Sequence, residues 1–529
     1  MSNVVKKGKS SFGLENPNNL ISLGGEEILS EEERNKSEMN SSRLFDFMKY
    51  KGEGEIDAYG KRFKKAEVYS QITYKNKEGN TKLDIEKFVS FLIDSYKPIY
   101  NQGALFLYKD GVYNEVKENY LKTIIKQLLP SGFRTRHFIE EVAGQLLLDE
   151  RVNKDVNQYS NVMDIHDENL INCNNGIINL NDMQLYGHTE KIKSTIQINA
   201  NCDKDAKCDN FLKFLDTVVP NKEVQKVLQE IVGYSITKMV ESRKRIFILT
   251  GESGTGKSTF LNATVEALLP KNSKSHIPLQ TIEKDKFAAV QLLGKTTNIF
   301  ADLKTEALKD VGTLKTITGD DGGIFVQRKG KDGYSAQPFC KMLFSCNHMP
   351  SNLAQDKTDA FYNRIMIISF NQIIEEEERD SKLKEKLEAE LDGIFAWAIE
   401  GLVRLIKNKY NFSKCKEIED NINEYKQENN SILQFIDEFC EVTNNEDDYI
   451  MTSRFHTAYN NFCEEELDQR GIGVTNVKKQ LNTKYNIERK KKNYKQLSGR
   501  NWAYVGIKYK NELIEQEVEK RWMKLTEKN

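Results

Sequence analysis

Between residues 246 and 269 the chain changes periodicity around a glycine-rich turn, and few folds accept such a change. Ile246-Phe247-Ile248-Leu249 is an apolar, β-prone run. It leads into Gly251-Glu252-Ser253-Gly254-Thr255-Gly256-Lys257-Ser258-Thr259, and a helix-compatible stretch runs from about Ser258 to Leu269. Strand, glycine turn and helix N-terminus in that order form a phosphate cradle. The glycines let backbone N–H groups converge on an anion with no Cβ in the way. Lys257 is placed to neutralise β/γ-phosphate oxygens, and Ser258 to offer its hydroxyl to Mg²⁺. The segment predicts an α/β fold that binds a nucleoside triphosphate with Mg²⁺ through Gly251 to Thr259.

Three downstream residues refine that expectation. The strand candidate Thr296–Ala301 ends in Asp302, where a Mg²⁺-holding carboxylate belongs, although a strand-end Asp also serves as a simple helix cap. The strand candidate Lys341–Cys346 ends in Asn347, suited to polarising water or sensing a γ-phosphate, or to forming a turn before His348-Met349-Pro350. Arg364 precedes the apolar run Ile365–Ile368 and is placed either to reach a neighbouring subunit's γ-phosphate or to form a surface ion pair.

Lys257, Asp302, Asn347 and Arg364, in that order, resemble the Walker A, Walker B, sensor and finger residues of superfamily 3 helicases, the hexameric AAA+ motors of small viruses, phages and plasmids. Further stretches resemble the phage/plasmid primase–helicase branch. They are Asn172–Leu180, Phe211 to Ile236, Lys315-Thr316-Ile317-Thr318-Gly319-Asp320-Asp321, and Glu390–Ala398 with Gly401-Leu402. The resemblance covers roughly residues 100 to 510. It implies a P-loop AAA+ motor core whose catalytic set is Lys257, Asp302, Asn347 and Arg364, with Ser258 and Asp302 on the metal. Many relatives carry paired acids at Walker B, whereas here Ala301 precedes a single Asp302; Glu306 is the nearest other acid, at the wrong spacing.

A chain of 529 residues predicts several domains. We expect a flexible tail at 1–40, an α+β N-terminal domain at 41–204, the motor at 205–375, a helical linker at 376–430 and a winged-helix DNA-binding domain at 431–529. Within these, Phe88–Ile93 has helical spacing, Ala104–Tyr113 reads as a hairpin, and Ser381–Tyr410 reads as one long amphipathic helix. The formal net charge of −1 gives no global electrostatic signal for nucleic acid. Charge is instead local: from Arg470 onward, sixteen Lys/Arg face six Glu. The eight cysteines contain no C-x-x-C pair, so neither zinc nor disulfides are expected. With no long apolar span, we expect a soluble, cytoplasmic protein without membrane contact.

DNA contact is expected at two places. Ile324–Tyr334 reads as two short strands around a basic tip. The resemblance implies that this hairpin enters the hexamer channel, with Lys329 first and Arg328 and Lys331 behind it; without the resemblance it is an ordinary exposed turn. The second place is the C-terminal unit. Helices at Phe455–Glu466 and Thr475–Tyr485 precede the basic run Arg489-Lys490-Lys491-Lys492 and the strand at Trp502–Ile507. Lys478 and Lys479 would lie in a major groove and the run on phosphates, or the unit is a solvated protein-interaction module. Together these readings predict an ATP-dependent replicative DNA helicase of a mobile element. Its expected partners are single- and double-stranded DNA, its own copies in a homo-hexamer, and a primase or other replisome protein. The alternatives are a fused primase–helicase and an ATP-switched, origin-binding initiator.

Overall fold

The computed structural model describes residues 13–14, 55–101, 103–154, 169–239, 245–285, 287–303, 308, 312–319, 323–327, 334–336, 338–352, 359–467, 470–493 and 500–526. The expected tail at 1–40, all but Gly13-Leu14, lies outside these residues, as do Glu306, Asp320 and Asp321.

In the N-terminal region, four helices (Lys65–Ile72, Ile85–Tyr96, Glu118–Leu128 and Arg136–Leu148) accompany an antiparallel sheet of Ile99–Asn101, Ala104–Lys109 and Val112–Val116. Val68, Phe88, Leu92, Leu107, Ile124 and Val142 form their shared core. The helix through Phe88 and the hairpin through Tyr108 thus follow the sequence periodicity. A second antiparallel sheet follows, with Leu170–Cys173 and Gly176–Asn179 paired around the turn Asn174-Asn175. Gly176 has φ 157°, and a Cβ there would stand 2.4 Å from the Tyr186 carbonyl oxygen. The glycine of the Asn-Gly signature is therefore required by the close approach of the neighbouring strand Gln184–Tyr186. Ile171, Cys173, Ile178 and Ile198 share a core with Phe211 and Phe247, so apolar packing does not divide at residue 204.

The centre is a five-stranded, all-parallel sheet of β1 (Ile246–Thr250), β2 (Lys274–Ser275), β3 (Thr297–Phe300), β4 (Lys341–Cys346) and β5 (Ile365–Ser369), in the order β2-β3-β4-β1-β5. Parallel sheets are covered on both faces, and β1 and β4 are correspondingly near-continuous apolar runs. One face packs on helix α1 (Asp209–Val218), α2 (Lys222–Ser235) and α4 (Leu391–Lys407); the other buries Leu292, Leu314, Phe361 and Tyr425. Helices α2 and α4 meet at glycines: a Cβ on Gly233 would lie 2.3 Å from the Ala398 carbonyl, and one on Gly401 2.3 Å from that of Gln229. Beside this crossing, the fully buried Glu230 accepts from Arg404 Nε at 2.7 Å and from Ser413 N and Oγ at 2.8 and 2.6 Å.

The single helix expected over Ser381–Tyr410 is two, α3 (Leu383–Ala389) and α4. The break has a tertiary cause. Glu390 turns its carboxylate to the N-terminus of α1, accepting from Asn210 N and Phe211 N at 2.9 Å each. Gly393 sits so close to the Lys207 carbonyl that a Cβ would be 2.3 Å away. Leu387, Ile394, Ala398 and Leu402 enter the central core.

The C-terminal unit has its own core, including Phe435, Phe455, Tyr459, Leu481 and Tyr504. Helix Thr452–Glu465 and helix α5 (Val474–Tyr485) precede an antiparallel pair, β6 (Glu488–Asn493) and β7 (Arg500–Val505), with Tyr449–Met451 on the far side of β7. No described helix is long and apolar enough to cross a membrane.

Candidate functional site

Ligands of open parallel sheets bind beyond the carboxyl ends of the strands. Three of the expected residues lie there, on neighbouring strands. Gly251 follows β1, Asn347 follows β4, and Asp302 stands two residues past β3. The loop after β1 needs its glycines: Gly251, Gly254 and Gly256 have φ of 143°, 86° and 86°. A Cβ on Gly251 would meet the Phe370 carbonyl oxygen at 2.0 Å, and one on Gly256 would meet Val218 Cγ1 at 2.6 Å. The helix then starts at Lys257, continuing through a π-helical turn at Asn262–Glu266.

Lys257 is 7 % exposed. Its ammonium donates to the Gly251 and Glu252 carbonyls at 2.5 and 2.8 Å, and contacts Thr255 Oγ1 and Asn347 Oδ1 at 3.3 and 3.4 Å. Burial lowers its pKa, with the charges of Glu252 and Asp302 opposing that shift. Asp302 has φ 67°, left-handed backbone that side chains other than glycine adopt at special positions. Its neighbour Leu303 donates to the Ser345 carbonyl at 2.7 Å, fixing this turn against β4.

A cavity of about 950 Å³ opens over the loop, lined by Ser253–Thr259, Asp302 and Asn347. Its far wall was not foreseen from sequence. Lys213, Phe214 and Thr217 come from α1, and Arg379, Lys384 and Lys386 from the segment after β5. Arg379 Nε donates to the Ile374 carbonyl at 3.1 Å, and Ile374 N donates to the Gly254 carbonyl at 3.3 Å, so this segment docks on the loop itself. The sequence signal was an Arg immediately after an exposed acidic run. The cavity mixes apolar and polar walls, carries more cations than acids and is large enough for a nucleotide.

Arg364 is not brought to this cavity. Ile246 N donates to its carbonyl at 2.7 Å, which places it at the amino end of β1, opposite Gly251. Five strand residues, about 16 Å of rise, separate the two ends. Its guanidinium points toward Gly319.

The hairpin expected at 324–334 has its strands at Ile324–Val326 and Tyr334–Ala336, paired antiparallel, with Phe325 and Tyr334 exposed. Arg328, Lys329 and Lys331 lie outside the described residues. In the C-terminal unit, Lys478 and Lys479 are exposed on α5, and Arg489 to Lys492 form most of β6. Lys490 pairs with Glu446 at 2.8 Å, while Lys492 donates to the Glu446 backbone oxygen and lies 5.7 Å from the centroid of the Tyr449 ring. No three His, Cys, Asp or Glu side chains cluster as a metal site among the described residues.

Three family models match the chain: "D5 N terminal like" at residues 59–220, "Family of unknown function (DUF5906)" at 249–364, and "Poxvirus D5 protein-like" at 427–522. A curated relative, "Putative helicase 184R" of Invertebrate iridescent virus 6, is 21 % identical over 298 residues, which is 48 % of this chain and 30 % of that protein. The chain thus spans under a third of that relative's length. Among solved structures, the apo C-terminal region of NrS-1 aligns over 79 % of this chain and 98 % of its own at 12 % identity, with a TM-score of 0.40; a second structure of that region, its A form, aligns over the same shares with a TM-score of 0.41. The two D5-type models thus match on both sides of the Gly251–Thr259 segment, and the curated relative is named as a helicase.

Proposed function

We propose that this chain is an ATP-dependent replicative DNA helicase with a superfamily 3 AAA+ motor, working as a homo-hexamer at the origin of a mobile element. The observation that carries the reading is the division of the expected residues. Lys257, Ser258, Asp302 and Asn347 line one cavity, while Arg364 stands at the other end of the sheet. A subunit interface joining the two ends would complete the site.

In this reading the loop N–H groups hold the phosphates, and Lys257 exchanges the Gly251 and Glu252 carbonyls for β/γ oxygens. The donor set suits Mg²⁺: Ser258 and Asp302 would hold it through one hydroxyl and one carboxylate, the hard oxygen donors this cation takes alongside water and phosphate. When bound it would neutralise charge on the bridging oxygens. Asn347, already in contact with Lys257, would orient the attacking water, and the neighbouring subunit's Arg364 would balance charge on the transferred phosphoryl group. Lys329, flanked by Arg328 and Lys331, would follow the DNA backbone from the tip of the 324–336 hairpin. Lys478, Lys479 and Arg489 to Lys492 would hold DNA on a C-terminal winged helix.

The test is strand displacement on forked DNA with ATP and Mg²⁺, comparing wild type with Lys257→Ala. Unwinding by the wild type alone is expected. ATP hydrolysis without unwinding would replace the helicase with an origin-binding initiator, and primer synthesis on a template would make it a fused primase–helicase.

A further inference from the structure

The two faces of the β6–β7 ribbon treat their cations differently. On one face, Lys490 is neutralised by Glu446 and Glu488, and Lys492 is held over Tyr449. On the other face lie Arg489 and Lys491, cross-strand partners of Tyr504 and Trp502. Among the described residues neither cation pairs with an acid. Arg489 Nε is buried with no hydrogen-bond acceptor. Its guanidinium lies 4.7 Å from the centroid of the Trp502 ring, and Lys491 Nζ lies 5.5 Å from it. Tyr504 on this face is fully buried, with its hydroxyl 3.0 Å from His456 Nε2, whereas Trp502 is 46 % exposed. A half-exposed indole beside two cations that pair with no described acid is a surface with a missing partner.

We infer that Trp502, Arg489 and Lys491 form a platform for single-stranded nucleic acid, on which an unpaired base stacks on the indole and the adjoining phosphates meet the two cations. The inference rests on the DNA-binding reading above and changes its content: this face of the hairpin reads unpaired strand, whereas a wing on duplex phosphates would use the cations and leave the indole idle. The chemistry favours nucleic acid over a protein partner. An anionic backbone spaced by flat aromatic groups matches alternating cation and indole, and every base offers a π-face. In duplex DNA those faces are already stacked, so only an unpaired base is free to use Trp502.

The test uses the full chain without ATP. Binding of a labelled oligothymidine and of a matched duplex is measured for wild type, Trp502→Ala and Trp502→Phe, with thermal midpoints confirming the fold. Base–aromatic stacking predicts a loss of about ten-fold in oligothymidine affinity for Trp502→Ala, recovered in large part by Trp502→Phe. Duplex affinity should stay within about two-fold. The chain has three tryptophans, so the fluorescence quenching assigned to Trp502 is the difference between wild type and W502F on adding oligothymidine. Equal quenching in the two proteins, or equal loss of both nucleic acids in W502A, would overturn the platform while leaving DNA binding in place. Failure of the wild type to bind either nucleic acid would remove the DNA reading as well.

Discussion

Lys257 and Lys491 carry the same charge under opposite constraints. Lys257 is buried, and its ammonium contacts the Gly251 and Glu252 carbonyls, Thr255 and Asn347. Lys491 is exposed on a ribbon and is oriented by an indole 5.5 Å away. In the cleft, backbone geometry sets the position of the charge, and glycines at 251, 254 and 256 make that geometry attainable. On the hairpin, only alternation along a strand and one aromatic ring do so. A site built from backbone tolerates almost no substitution; a site built from surface charge should lose function in small steps.

That contrast can be broken in several ways. Lys257→Ala should lower ATP hydrolysis by about 10²–10³-fold, the scale of removing one preorganised electrostatic donor, with an unchanged far-ultraviolet spectrum. Retained hydrolysis would remove the cleft from the chemistry. Gly251→Ala, which drives a Cβ toward the Phe370 carbonyl, should destabilise the chain by about 1–3 kcal/mol in denaturant unfolding; a neutral result would mean that the loop is looser than its contacts imply. Glu390→Ala uncaps α1, which walls the cavity, and should cost about 0.5–2 kcal/mol. It should also raise the KM for ATP more than it lowers kcat.

On the hairpin side the effects shrink. Burial, with Arg489 adding to it, pushes the His456 pKa down to about 4. The folded state therefore resists a proton that the unfolded chain accepts near pH 6.5. Stability from this residue is complete above that pH and falls progressively as pH drops toward 4. His456→Gln should flatten that part of the thermal-midpoint profile; an unchanged slope would show that other groups set it. The smallest expected effect is that of Lys491→Ala, a decrease of about one in the slope of log affinity against log salt. A large collapse of binding there would mean that the surface site is as tightly specified as the cleft.

The same contrast governs what could be read before folding. Gly251 to Ser258 is contiguous and every member has a local reason, so strand, turn and helix were legible together. Asp302 and Asn347 were legible as polar residues ending apolar strands. The parallel register that sets them beside Lys257 came from the sheet. Arg379 and Lys213 carry no local pattern, because the cavity wall forms only when α1 and the segment after β5 close over the loop. The break at Glu390 was hidden for a similar reason: its cause is the exposed N-terminus of a helix 180 residues earlier. The strand over Trp502–Ile507 was legible, but not which of its aromatic residues faces water: Tyr504 is buried and Trp502 is half exposed.

The pairing of β1 with β5 has a mechanical consequence. Five residue pairs, Ile246↔Ile365 through Thr250↔Ser369, tie the strand that carries Gly251 to the strand that begins after Arg364. Hydrogen-bonded strands slide or separate only by breaking that ladder, so the spacing between loop and arginine behaves as a fixed ruler. However the chain flexes elsewhere, it cannot fold its own arginine onto its own loop, and any task needing both must be shared between copies.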